Sequence, residues 1–202
     1  MVDKLGTLRP VIGATFPAEG RDGGSIVIFG TGAVGMSGLL ASVLANCTTI
    51  IAVDIVDSRL EKAKELGATH TINSKEQDAV ERVREITGGG ANYALDATDN
   101  AGAFAQMTKS LAVLGHGAMV GATASGTESP FDIGDLLLTG IKISMVMQGD
   151  SVPQTFIPEL ISLYQAGLFP FDKLVKKYDF ADINTAFSDS EAGTTLKPVL
   201  VF

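Results

Sequence analysis

The segment at residues 25–35, SIVIFGTGAVG, constrains this chain more than any other. An apolar run stops at Gly30, and glycine recurs at Gly32 and Gly35. A second apolar run, IIAVD, closes on Asp54 about 20 residues further on. The pattern predicts a strand, a tight turn and the start of a helix, with a parallel second strand carrying the acid. Each position has a physical task. Gly30 lets the chain turn off the strand, Gly32 lets the backbone come close to a pyrophosphate, and Gly35 lets the helix pack onto the sheet. The helix start presents free N–H groups and a partial positive charge to phosphate. Asp54 can accept hydrogen bonds from ribose hydroxyls and would repel a 2′-phosphate, which favours NAD over NADP.

The rest of the chain keeps the strand–helix rhythm. Residues 49–53 are β-branched and apolar on both faces, as a central parallel sheet requires. Ser58 with Glu61 reads as a capping box for a helix carrying Leu60, Ala63 and Leu66 and stopped at Gly67. His70 opens a short strand. Ser74 with Gln77 reads as a second capping box, ahead of a Val80, Val83, Ile86 stripe that ends at Gly88. ANYALDAT is a fourth strand, residues 101–111 a helix, GAMVGA a fifth strand with His116 in a glycine turn before it, and KISMVM a sixth. Parallel strands need helical crossovers, so the expected fold is α/β, a doubly wound six-stranded parallel sheet. It should occupy residues 24–148, after a turn-rich linker at 1–23. From residue 149 the rhythm changes. Residues 153–165 form an amphipathic helix with Phe156, Ile157, Leu160, Ile161 and Tyr164 on one face. FPFDKLVKKYDF, a short helix near 182–188 and a terminal strand KPVLVF complete a tail at 149–202.

Composition narrows the partners. A formal net charge of -8 argues against nucleic acid and anionic membrane. No apolar run reaches the roughly 20 residues of a membrane span, and MVDKLGTLRP lacks the apolar core of a signal peptide. A single cysteine, Cys47, excludes an internal disulfide and fits a reducing, cytoplasmic setting.

The stretch SIVIFGTGAVGMSGLLASVLANCTTIIAVDIVDSRLEKAKELGATHTIN resembles the coenzyme domain of the zinc-dependent, medium-chain alcohol dehydrogenases. GDSVPQTFIPELISLYQAGLFPFDKLVKKYDFADINTAF and GTTLKPVLVF resemble the aryl (benzyl) alcohol branch. The resemblance implies an NAD site. Asp54 would be the ribose acid, with Ile55 beside it and Arg59 a basic neighbour of the same ribose. Thr31, Ala33 and Val34 would line the loop under the pyrophosphate and nicotinamide, Val34 buttressing the ring. Ala97 and Thr98 would meet the adenosine side, and Val120, Gly121, Ala122 and Val146 the nicotinamide carboxamide. Lys197 stands where the family usually carries an arginine to the pyrophosphate, keeping the charge but losing the bidentate fork. Asp99 stands where the family usually has glycine. The resemblance also implies a two-fold contact through the edge segment KISMVM, which opens with Lys142 and closes with Met147.

The family's reaction is hydride transfer from a primary alcohol to NAD, with a catalytic zinc polarising the oxygen. That zinc needs three protein ligands. Here Cys47, His70 and His116 are the whole stock of cysteine and histidine, and their spacing makes no ligand set. No catalytic and no metal residue is assigned. The expectation is a coenzyme domain plus tail from a longer enzyme, inactive alone, with zinc held only by the missing catalytic domain. The apolar face of the tail, Phe156, Leu160, Phe169, Phe171 and Val199, would then lack part of its partner and leave apolar surface exposed. Other readings stay open: a free-standing NAD sensor, a zinc-free reductase of the quinone oxidoreductase type, and a methyltransferase with a similar glycine loop.

Overall fold

A computed structural model describes residues 24–147 and 151–202. The expected linker at 1–23 and the expected boundary at 148 and 149 lie outside the described residues. Six strands form one parallel sheet in the order β3-β2-β1-β4-β5-β6. They are β1 (Ser25–Phe29), β2 (Thr49–Asp54), β3 (His70–Asn73), β4 (Ala91–Asp96), β5 (Leu111–Met119) and β6 (Lys142–Met145). The crossovers are α1 (Ala33–Leu44), α2 (Asp57–Glu65), α3 (Ala79–Thr87), α4 (Ala101–Lys109) and α5 (Ile133–Thr139).

Strand residues alternate faces, so an apolar run fills two cores at once. Ile26, Ile28, Ile50 and Ala52 meet Met36, Leu39 and Leu40 of α1 and Leu60 and Ala63 of α2. Val27, Phe29, Ile51 and Val53 meet Val83 of α3 and Phe104 and Met107 of α4 on the other side. The order reverses between β1 and β4, which opens a crevice at their C-terminal ends.

Three local expectations fail, each for a physical reason. Helix α2 starts at Asp57 with Val56 as its uncapped N-cap, not at a Ser58–Glu61 box. The Asp54 carboxylate takes the N–H groups of Ile55 and Val56 and so turns the chain into the helix early. Helix α3 starts at Ala79, capped by Asp78, whose side chain accepts from Glu81 N. Ser74 and Gln77 belong to the preceding turn, where Gln77 N reaches Asn73 O at 3.1 Å. Strand β5 begins at Leu111 rather than near Gly117. Leu111 pairs with Ala91 and His116 with Tyr93, so a bulge lies between them. Leu114 takes φ 61 within it. His116 is therefore a strand residue, its Nε2 2.8 Å from Ser144 Oγ on β6. Asn100, next to Asp99, caps α4 by accepting from Gly102 N and Ala103 N.

The tail contains α6 (Pro153–Gln165), a 3-10 turn (Phe171–Leu174), β7 (Val175–Asp179), α7 (Ile183–Glu191) and β8 (Lys197–Val201). Strands β7 and β8 pair in parallel as a second sheet. Tyr178 Oη donates to Asp189 Oδ2 at 2.5 Å and lies 2.7 Å from Thr195 Oγ1, tying β7 to α7 and to the connection that leads into β8. The apolar face of the tail is partly covered and partly exposed. Phe169 and Leu174 are buried in the α1 core, and Phe156 and Leu160 pack against it. Phe171 and Val199 stay exposed, as do Phe187 and the stacked pair Phe180 and Phe202.

Candidate functional site

Most of the expected site residues follow the C-terminal ends of β1, β2, β4 and β5, whereas Arg59 lies on α2, Val146 follows β6 and Lys197 opens β8. Gly30 leaves β1 with φ +82, and a Cβ there would meet Thr98 Cγ2 at 2.8 Å and the Ala97 carbonyl at 3.3 Å. Its N–H reaches Val53 O at 2.8 Å, which ties the turn to β2. Gly35 lies over that turn so closely that a Cβ would fall 1.8 Å from Gly30 O. Gly32 differs from both, because nothing lies within 4 Å of its Cβ position. It is the N-cap of α1, with no side-chain cap and no acid in the first turn. The helix start is open space with free N–H groups, which suits a phosphate. Ala33 is half-buried beside it, and Val34 stands exposed at the mouth.

Asp54 ends β2 and is 6% exposed. Its Oδ2 accepts from Thr31 N at 2.6 Å and Thr31 Oγ1 at 2.7 Å. Its Oδ1 accepts from Ile55 N at 2.8 Å and Val56 N at 3.1 Å. The acid therefore clasps the glycine loop to the β2–α2 connection. Arg59 is half-buried on α2, and its Nε has no partner among the described residues. Its guanidinium lies against Gly193 of the tail, with Nη2 3.2 Å from the Cβ position there. Lys197 follows at the exposed head of β8.

On the other side of the crevice, Gly121 lies against Thr98, where a Cβ would fall 1.4 Å from Thr98 O. Val120 N and Gly121 N both reach Asp96 O, at 2.9 and 3.2 Å. Ala122 is exposed. Val146 lies just past the end of β6, where its N–H reaches Met119 O at 2.9 Å.

Asp96 escaped the reading of the sequence. It ends β4, is fully buried, and accepts at Oδ1 from Thr98 N at 2.9 Å and Thr98 Oγ1 at 2.6 Å. Its Oδ2 has no partner among the described residues. The one available signal was an acid closing a buried strand. Burial holds its carboxyl above the ordinary carboxylate pKa, with Asp99 adding repulsion and the Thr98 bonds opposing. Ionisation is thus harder in the folded chain than in the unfolded one. The charge costs stability at neutral pH, and the cost fades as pH falls through the raised folded-state value toward the ordinary 3.8. Asp96→Asn should therefore be more stable than the parent at pH 7, by about 1 kcal/mol. The gap should close near about pH 4. Urea unfolding of both proteins at the two pH values reads this directly. An Asn variant less stable at pH 7 would show that the charge is not the costly element.

The other titratable candidates lie apart. Burial pushes the Cys47 thiol up to about 12. His70 Nδ1 is 2.9 Å from Thr69 Oγ1, and His116 is bound to Ser144. Among the described residues no group of three or more His, Cys, Asp or Glu is placed to hold a metal ion.

Comparison with known proteins matches residues 33–166 to the family described as zinc-binding dehydrogenase. The chain is 36% identical over 181 residues to geraniol dehydrogenase of Castellaniella defragrans, covering 89% of this chain and 48% of that protein. It is 30% identical to the NDMA-dependent alcohol dehydrogenase of Amycolatopsis methanolica, over 93% of this chain and 52% of the other. Among solved structures, benzyl alcohol dehydrogenase of Acinetobacter calcoaceticus superposes with a TM-score of 0.89 at 48% identity, covering 98% of this chain and 54% of that one. The chain spans about half the length of the relatives it matches.

Proposed function

The chain belongs to the zinc-binding dehydrogenase family, and we propose from that premise that it is the NAD-binding part of an alcohol dehydrogenase. The observation that carries the proposal is the pairing of an open, uncapped α1 start at Gly32 with Asp54 buried at the end of β2. The first accepts a pyrophosphate, and the second presents a carboxylate where a 2′-phosphate would stand. Gly30 to Gly35, Asp54, Ile55 and Arg59 would hold the adenosine and pyrophosphate. Ala97 and Thr98 would meet the adenosine side, Val120, Gly121, Ala122 and Val146 would border the nicotinamide half, and Lys197 would reach the pyrophosphate. Residues 24–148 form the coenzyme domain in this reading, and 149–202 the tail that packs on the catalytic domain.

The full reaction is oxidation of a primary alcohol to an aldehyde, with hydride transferred to NAD. Similarity to a benzyl alcohol dehydrogenase and to geraniol dehydrogenase supports an unsaturated or aromatic alcohol. The zinc that polarises the alcohol oxygen would be held outside the described residues, since these offer it no ligand set. The 202 residues alone would bind coenzyme without turnover.

A two-fold contact along β6 is part of the same proposal. Met145 and Met147 on the edge, Ile133, Leu137 and Leu138 on α5, and Leu114 of the bulge are all exposed beside each other's elements. Such an edge with apolar neighbours favours pairing with a second copy. No helix among the described residues is long and apolar enough to cross a membrane. The single cysteine and acidic charge support a cytoplasmic setting.

Fluorescence titration with NADH and NADPH tests the coenzyme proposal. NADH should bind, with NADPH at least about tenfold weaker. Equal binding of the two would remove Asp54 from its assigned role, and binding of neither would remove the coenzyme assignment.

A further inference from the structure

We infer that Thr31 sets the affinity of the site for a ribose, by occupying Asp54 whenever the site is empty. The inference rests on the dinucleotide reading above and goes beyond it. An ionised carboxylate offers about four lone-pair positions. Asp54 has four protein donors, two on each oxygen. Ribose hydroxyls arrive as donors to this carboxylate, so one of the protein donors must give way.

Three of the four are backbone N–H groups, of Thr31, Ile55 and Val56. They hold the glycine loop and the start of α2, and releasing one would remodel the turn. The fourth is the Thr31 hydroxyl, which leaves by rotation about a single side-chain bond. Ribose binding thus trades the Thr31 Oγ1 contact for a ribose contact on Oδ2. The trade is nearly isoenergetic in hydrogen bonds, so the ribose gains little from Asp54. Without the hydroxyl, Oδ2 would keep an open lone pair that a ribose hydroxyl fills without displacing anything. Thr31 is a positioning residue acting through Asp54. The glycine pattern leaves its identity free, so any small side chain lacking a donor would meet the turn's steric needs.

The test titrates the full chain and its Thr31→Val, Thr31→Ala and Thr31→Ser variants with NADH, AMP and 2′,3′-dideoxy-AMP. Thr31→Val keeps the shape and removes the donor, Thr31→Ala serves if Val disturbs the fold, and Thr31→Ser restores the donor. The expected result is NADH and AMP binding about tenfold tighter to Val or Ala than to the parent, with Ser matching the parent. The gain should vanish for dideoxy-AMP, which has no ribose hydroxyl to donate. Unchanged or weaker NADH binding by folded Val and Ala variants overturns the inference while leaving the dinucleotide reading intact. So does an equal gain for dideoxy-AMP. Failure of NADH and AMP to bind the parent and all variants overturns both together.

Discussion

Gly35→Ala should abolish dinucleotide binding and destabilise the chain by about 3 kcal/mol or more. The added methyl would fall 1.8 Å from Gly30 O and 2.9 Å from Gly30 C, and both are backbone atoms. Neither partner can retreat. Gly30 sits at φ +82 with Thr98 and Ala97 behind it, and its N–H is anchored to Val53 O. The first turn of α1 would have to lift off the sheet, carrying Met36 and Leu39 out of the core. Gly32→Ala is the matched contrast. Its backbone is extended, at φ -69 and ψ -170, and nothing lies within 4 Å of the new methyl. It should keep stability within about 0.5 kcal/mol, yet weaken NADH binding about tenfold, because the methyl projects where a pyrophosphate would approach. Denaturant unfolding without coenzyme separates the two variants, and NADH titration then reads the site. A Gly35→Ala protein as stable as the parent would contradict the packing of α1 onto the turn. A Gly32→Ala protein with undiminished affinity would move the pyrophosphate elsewhere.

The two glycines also mark how far the sequence alone could be read. The strand, turn and helix around them were legible because apolar runs buried on two faces leave few alternatives. Helix α6 was legible to its ends, Pro153 and Gln165, through its periodic apolar face. What escaped depends on competition between nearby partners. Ser58 and Ser74 looked like helix caps, but α2 starts uncapped at Asp57, just past the turn that Asp54 holds, and Asp78 caps α3. Strand β5 was cut short because a bulge around Leu114 breaks the alternation on which strand reading depends. In the tail, which of Phe156, Leu160, Phe169, Phe171 and Val199 are covered was not legible, because only the folded chain shows the core that the first three join. At the site, the acid could be identified from its position after β2. Its donors could not, since the Thr31–Asp54 bonds join residues 23 apart in sequence. Asp96 went unnoticed for a similar reason. Its isolation is a property of everything packed around it.

Asp54→Ala should cost about 3 kcal/mol of stability with no coenzyme present, besides removing the preference for NADH over NADPH. A residue whose sole task is to meet ribose would leave the empty protein untouched when replaced. Asp54 has a second task, because its carboxylate is the acceptor for three backbone N–H groups and one hydroxyl. Alanine leaves the donors at Thr31 without their acceptor in a fully buried position. Each buried donor left unpaired costs about 1–3 kcal/mol, which water reaching the Ile55 side would partly offset. Asp54→Asn should fall between parent and alanine variant, since its carbonyl oxygen can serve one side of the clasp while its amide opposes donors on the other. Unfolding curves in buffer alone decide the matter, before any titration. If alanine leaves the midpoint unchanged and only NADH binding falls, Asp54 does not hold the loop. Thr31 would then have no acid to restrain. If the midpoint falls for alanine and less for asparagine, the acid that selects the coenzyme also shapes the loop that receives it. Loss of NADH affinity in the alanine variant would then combine a missing ribose acceptor with a disordered glycine turn. Saturating coenzyme would recover less stability in that variant than in the parent.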